Sequence, residues 1–198
     1  MKTDSLDIPT PGIHVYKDVF NLPSVHSFIN SVEQECNDPN GFLYWEGSLV
    51  GSEIAMATEY RSSVSCSMDM VMSPTSNHPE RDLFMKSVHW PISECIIDYV
   101  KTYELNLGLF EPYSLLKYTS GAHYRSHYDD GPGIKRTFSV VAYLKNDSTG
   151  GDLRFQYFDV TVPCIEGTVL VFPSSYPYCH YAEPVSDGVK YSLVTWYP

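Results

Sequence analysis

The sequence predicts a mainly β domain, a sandwich or barrel with helices packed on its outside, and two features carry that prediction. After Glu111 the chain breaks into short runs rich in β-branched and aromatic residues: YSLLKY, RTFSVVAYL, DLRFQYF, VTV, TVLVFP and KYSLVTWY. The turn-forming stretches GPG, NDSTGG, PCIEG and EPVSDG divide them. Before Glu111, two stretches repeat apolar residues at helical spacing. Short strands in series close on one another as a sandwich or barrel, and amphipathic helices need such a surface to cover.

The first helix is predicted over Leu22 to Cys36, where Val25, Phe28, Ile29, Val32 and Cys36 fall at steps of three and four and Pro23 occupies a tolerant first-turn position. Next comes GFLYWEGSLVGSEIAMATEYRSSVSCSM, with a short aromatic strand signal, a Gly/Ser-rich loop and a possible strand from Tyr60 to Cys66. The second helix is predicted after SNHPE, capped by Ser76 or Asn77 and opened by Pro79. It runs through Phe84, Val88, Ile92, Ile96, Val100 and Tyr103, with a kink at Pro91. The 198 residues suit a single domain, helical over about 1–110 and with its β core over about 111–198.

Composition narrows the function classes. Hydrophobic residues at 43% and charged residues at 19% describe a folded chain rather than a disordered one. A net charge of −11 repels phosphate backbones and anionic headgroups, so neither nucleic acid nor a membrane surface is an expected partner. The five scattered cysteines form no CxxC pair, which argues against a disulfide framework or a thiolate zinc site. With neither an apolar leader in MKTDSLDIPTPG nor an 18-residue apolar run, a cytoplasmic location is expected.

The chemistry concentrates in HYRSHYDDG, residues 123 to 131. His123 and His127 at i, i+4 would share a helical face, but the zinc-hydrolase pattern needs a glutamate beside the first histidine, and Tyr124 and Arg125 stand there. In an extended segment His127 and Asp129 point the same way. His14, His26, His78 and His89 belong to the helical half, whereas His180 lies in the β run YCHYAEP. His127, Asp129 and His180 can therefore form a 2-His-1-carboxylate triad suited to Fe(II); the alternative is a hydrogen-bonded core histidine beside a chance HxD.

Alternation in KYSLVTWY puts Lys190, Ser192, Val194 and Trp196 on one face, and an inward lysine needs an anion. Tyr118 can face the same interior and donate its hydroxyl to that anion, or be an ordinary strand aromatic. Parity also groups Ser139, Val141 and Tyr143.

The series Tyr118-x-x-Gly121-x-x-Tyr124-x-x-His127-x-Asp129, then Gly150-Gly151-Asp152-Leu153, then His180, Lys190 and Trp196, resembles the catalytic domain of Fe(II)/2-oxoglutarate-dependent dioxygenases of the prolyl 4-hydroxylase group. The resemblance implies a double-stranded β-helix (jelly-roll) core in which His127, Asp129 and His180 hold Fe(II). It implies that Lys190 and Tyr118 bind the distal carboxylate of 2-oxoglutarate, that Tyr143 contacts this cosubstrate, and that Thr168 and Trp196 form the inner wall. Arg61, in EYRSS, resembles the YRxS segment that frames the substrate entrance, or is a surface strand arginine. Asp130 is assigned a supporting or turn role, and His123 a solvated loop position.

The implied reaction consumes O2 and 2-oxoglutarate, hydroxylates a substrate C–H and yields succinate and CO2, with ascorbate as a reductant and a peptidyl proline as first choice of substrate. Segments 47–57 and 146–151 are expected to cover the open end as lids. The alternatives are a same-fold oxygenase for another amino-acid side chain or a small metabolite, and a non-catalytic metal-binding β-sandwich that serves as an interaction module.

Overall fold

The computed structural model describes residues 10–48, 59–106 and 108–198. Helix α1 (Leu22–Cys36) starts where the Asn21 side chain accepts the Ser24 backbone N–H at 3.1 Å, with Pro23 in the first turn. Val25, Phe28, Ile29 and Val32 form its buried stripe, on the spacing the sequence shows.

A short helix α2 (Asp69–Met72) precedes the second helical region, which begins directly after SNHPE as expected but without the expected cap. Ser76 caps nothing; its hydroxyl accepts the His78 N–H, and His78 Nδ1 in turn accepts the Glu80 N–H. These local bonds hold a turn, so α3 starts at Arg81 (Arg81–Phe84). A π turn over Met85–His89 leads into α4 (Trp90–Thr102). Pro91 has no N–H to return to an α-helical acceptor, and the interruption expected there takes the form of this wider turn just before it. Phe84, Val88, Ile92 and Ile96 stay buried across it.

Thirteen strands are found among the described residues. Those of the first half are β1 (His14–Tyr16), β2 (Glu46–Gly47), β3 (Val64–Ser67), β4 (Ser114–Tyr118), β5 (Tyr124–His127), β6 (Phe138–Asn146) and β7 (Thr149–Gly150). Then come β8 (Leu153–Phe155), β9 (Val160–Val162), β10 (Val169–Pro173), β11 (His180–Ala182), β12 (Val185–Asp187) and β13 (Lys190–Tyr197). A large sheet has the order β1-β10-β6-β13-β4-β3-β2 and a small one the order β5-β11-β8-β9, with β12-β7 as a separate pair. The pairing is antiparallel throughout. Three strands of the large sheet come from the N-terminal part, β3 on the possible strand from Tyr60 to Cys66 and β1 and β2 beyond what was expected, so this part extends the β core as well as covering it.

Alternation assigns the two faces. Phe138, Val140, Ala142 and Leu144 of β6, with Leu193 and Tyr197 of β13, join the helices in the larger core on the outside of the sheet. On the other face Tyr143, Leu170 and Phe172 pack against Phe155 and Val162 of the small sheet, while Leu116, Tyr118 and Val194 meet Ala182. The result is the jelly-roll arrangement expected, with its interior between the sheets.

Candidate active site

The register of β5 and β11 places His127 directly opposite His180, with ring centroids 4.4 Å apart. Asp129 lies just past the end of β5. There its own N–H and that of Asp130 both donate to the Ser174 carbonyl, at 3.1 and 3.0 Å, and turn the carboxylate back toward the two rings. Asp129 Oδ1 is 3.6 Å from His127 Nε2, and Oδ2 is 3.8 Å from His180 Nε2. Among the described residues this is the one group of three such side chains whose ligand atoms lie within 4.8 Å of one another.

Both histidines are oriented by the chain itself. His127 Nδ1 meets the Arg125 carbonyl at 2.8 Å and His180 Nδ1 the Tyr178 carbonyl at 2.9 Å. A carbonyl only accepts, so each Nδ1 carries the proton and each Nε2 presents a lone pair. Burial first, and His180 second, push His127 down to about 3, which leaves a neutral ring. Burial alone would raise Asp129; His180, His127 and hydrogen bonds from Ser139 and Trp196 outweigh it and hold the carboxyl below its usual range. Two imidazole Nε2 atoms and one carboxylate are a donor set that fits Fe(II).

The support for this group was only partly visible in the sequence. Ser139 Oγ donates to Asp129 Oδ2 at 2.5 Å and also meets Ser174 Oγ at 2.8 Å. Its parity with Val141 and Tyr143 was the available signal. Arg136 gave none: its Nε and Nη2 clasp Glu111 at 2.6 and 2.5 Å, its guanidinium lies 3.8 Å from the Trp196 ring centre, and its Nη1 donates to the Asp129 carbonyl at 3.3 Å. Tyr124 stacks on His127 at 3.6 Å between centroids. Removing an outer partner of a metal ligand typically costs 10–100-fold in affinity. Ser139→Ala is therefore expected to weaken Fe(II) binding by at least about ten-fold, measured by anaerobic calorimetry.

A cavity of about 1050 Å³ opens beside the three ligands. Lys190 lies on its wall, 2% exposed, its Nζ donating to the Gly151 carbonyl at 2.6 Å and standing 4.3 Å from the Tyr118 ring centre. No carboxylate among the described residues pairs with it. Tyr143 also lines the cavity; it is 1% exposed and its hydroxyl has no hydrogen-bond partner among the described residues. A buried ammonium and an unpaired phenol in one cavity both suit an anionic carboxylate. An unsatisfied buried hydroxyl costs about 1–3 kcal/mol. Tyr143→Phe is therefore expected to raise the melting temperature of the ligand-free chain while reducing the further rise that 2-oxoglutarate gives.

Trp196 and Arg61 are on the cavity wall, and Arg61 covers the Tyr124 ring at 4.4 Å while pairing with Tyr124 through an isolated β-bridge. Thr168 is not on the wall. It is buried on the inner side beside Tyr143, whose N–H donates to its carbonyl at 2.9 Å, and Tyr143 rather than Thr168 reaches the cavity. Asp130 Oδ1 accepts the Arg136 N–H, a turn role, and His123 is tied to Ser62 and to the Glu59 and Gly121 carbonyls.

Of the two expected lids, residues 49–57 lie outside those described. The other, 146–151, is no lid: Asn146 Oδ1 accepts from Ser148 N and Oγ, β7 pairs with β12, and Gly151 contacts Lys190, so this segment walls the lysine end. No described helix is long and apolar enough to cross a membrane.

Residues 113–198 match the 2OG-Fe(II) oxygenase superfamily. No curated protein sequence matches the chain. Among solved structures, a Pseudomonas putida prolyl-4-hydroxylase superposes with a TM-score of 0.71 at 20% identity, covering 96% of this chain and 95% of that one. A prolyl hydroxylase from Trichoplax adhaerens, in complex with a hypoxia inducible factor oxygen degradation domain peptide fragment, gives 0.73 at 15%, covering 96% and 84%. The viral collagen prolyl hydroxylase of Paramecium Bursaria Chlorella virus-1, as its 2OG complex, gives 0.67 at 15%, covering 97% and 98%. At these identities the likeness is one of fold, and that fold is shared across nearly the whole chain.

Proposed function

We propose, for a chain whose C-terminal part matches the 2OG-Fe(II) oxygenase superfamily, that it is a dioxygenase that hydroxylates a peptidyl proline and releases succinate and CO2. The observation that carries the reading is the pairing, in one cavity, of the His127, Asp129 and His180 donors with a buried Lys190 that no carboxylate among the described residues neutralises. A non-catalytic metal-binding sandwich has no use for that lysine.

Fe(II) with 2-oxoglutarate and O2 supplies the oxidising power for C–H hydroxylation in such a site. The chain's own part is binding and orientation. His127, Asp129 and His180 hold the metal through fixed lone pairs. Lys190 grips the far carboxylate of 2-oxoglutarate by a charge-assisted bond, and the hydroxyls of Tyr143 and Tyr118 fix its direction. Leu116, Val141 and Val194 line the space between and keep water out. The choice of peptidyl proline is supported by the fold shared with prolyl hydroxylases, one of which was solved with a peptide.

The test is anaerobic loading with Fe(II) and 2-oxoglutarate, then admission of O2, with succinate measured with and without proline-containing peptides and with and without ascorbate. Stimulated succinate and a peptide that has gained one oxygen atom are expected. Turnover with every proline peptide flat at the background rate would reject proline as the target.

A further inference from the structure

We infer that the segment bound at this site carries positive charge three to four residues from the reacting residue, on the side that lies over β3 and β2. This rests on the dioxygenase reading above and adds the charge of the substrate to it.

The cavity takes a ligand on separate grounds, since the unpaired, 1% exposed Tyr143 hydroxyl is on its wall. Its floor is the inner face of the large sheet, and the strand register lays out what a bound segment would cross. One row runs Ser192, Leu116, Ser65, Glu46 from β13 to the edge strand β2; a second runs Val194, Ser114, Ser67. All seven line the cavity, and Asp69 joins them two residues past Ser67. The floor is thus mostly short and polar, and it ends in two carboxylates.

The charges on the wall do not cancel. Asp129 serves the metal, Lys190 the cosubstrate, and Arg136 is matched by Glu111. Glu46, Asp69 and Asp130 then stand at the mouth against Arg61, three carboxylates to one guanidinium. Glu46 and Asp69 are exposed and have no ion-pair partner among the described residues. A mouth of net negative charge favours a cationic segment and disfavours an anionic one. From β13 to β2 is three strand spacings, about 14 Å. An extended peptide at about 3.3 Å per residue covers that in roughly four residues, or three when a long side chain reaches forward.

The test is binding measured apart from turnover. Short fluorescent peptides with a central proline, and with Lys, Gln or Glu at the third and fourth positions on both sides, are titrated anaerobically into the full chain with Fe(II) and 2-oxoglutarate. Two largely solvated pairs give a preference of roughly ten-fold for the Lys peptide over the Glu peptide. That gap should narrow with salt and close in the double variant Glu46→Gln, Asp69→Asn, whose thermal transition serves as the folding control. Equal affinities in the parent, a gap intact in the double variant, or no binding of any peptide would each overturn the inference. Tight binding of the Lys peptide without hydroxylation once O2 is admitted would remove the prolyl reading and leave the charge assignment standing. Hydroxylation of all three peptides with equal affinities would do the reverse.

Discussion

Asp129→Asn is expected to lower Fe(II) affinity by ~10²-fold or more, the upper end of what loss of an outer partner costs, because the ligand itself is changed. It is expected to abolish succinate formation with it. Asparagine keeps the shape and can still accept from Ser139, but it removes the one negative charge of the donor set. A divalent cation then has no anionic ligand to repay its desolvation. The metal-free variant should keep a sharp thermal transition, which separates loss of the metal from loss of the fold. If it binds Fe(II) and turns over like the parent, the metal centre has been placed on the wrong residues.

The second large effect is at Lys190. Lys190→Met keeps length and bulk and removes the charge, and truncating a buried, hydrogen-bonded charge pair costs about 2–5 kcal/mol. An affinity for 2-oxoglutarate at least roughly thirty-fold weaker follows, with Fe(II) affinity unchanged. Lys190→Arg should not rescue it. A Cβ on Gly151 would already lie 3.2 Å from Nζ and 3.0 Å from Val185 Cγ2, so the wall is too close for a guanidinium. Calorimetric titration of 2-oxoglutarate into the metal-loaded variants decides. Parental affinity in Lys190→Met would mean that the anion is held elsewhere.

Much of this was legible because strands alternate. Parity alone sorted Lys190, Ser192, Val194 and Trp196 from Tyr191, Leu193 and Tyr197, and the observed faces follow it. The HxD step, with one histidine in the β half, brought His127, Asp129 and His180 into consideration together. What stayed hidden depends on contacts between distant segments. Glu111 finds Arg136 across 25 residues, and Ser139 finds Ser174 across 35. The cap expected at Ser76 or Asn77 does not form, because the bonds among Ser76, His78 and Glu80 favour a turn. Of the three N-terminal strands, β3 falls on the possible strand from Tyr60 to Cys66, whereas β1 and β2, three and two residues long, are too short for alternation to mark them.

Arg125 and Tyr178 have a further consequence through their carbonyls. Each fixes one histidine as the tautomer a metal requires, and His127 is neutral and Asp129 ionised well on either side of neutral pH. Metal uptake at these two residues therefore expels no hydrogen ion to the solution. His127 and Asp129 are already in their coordinating protonation states when the cation arrives.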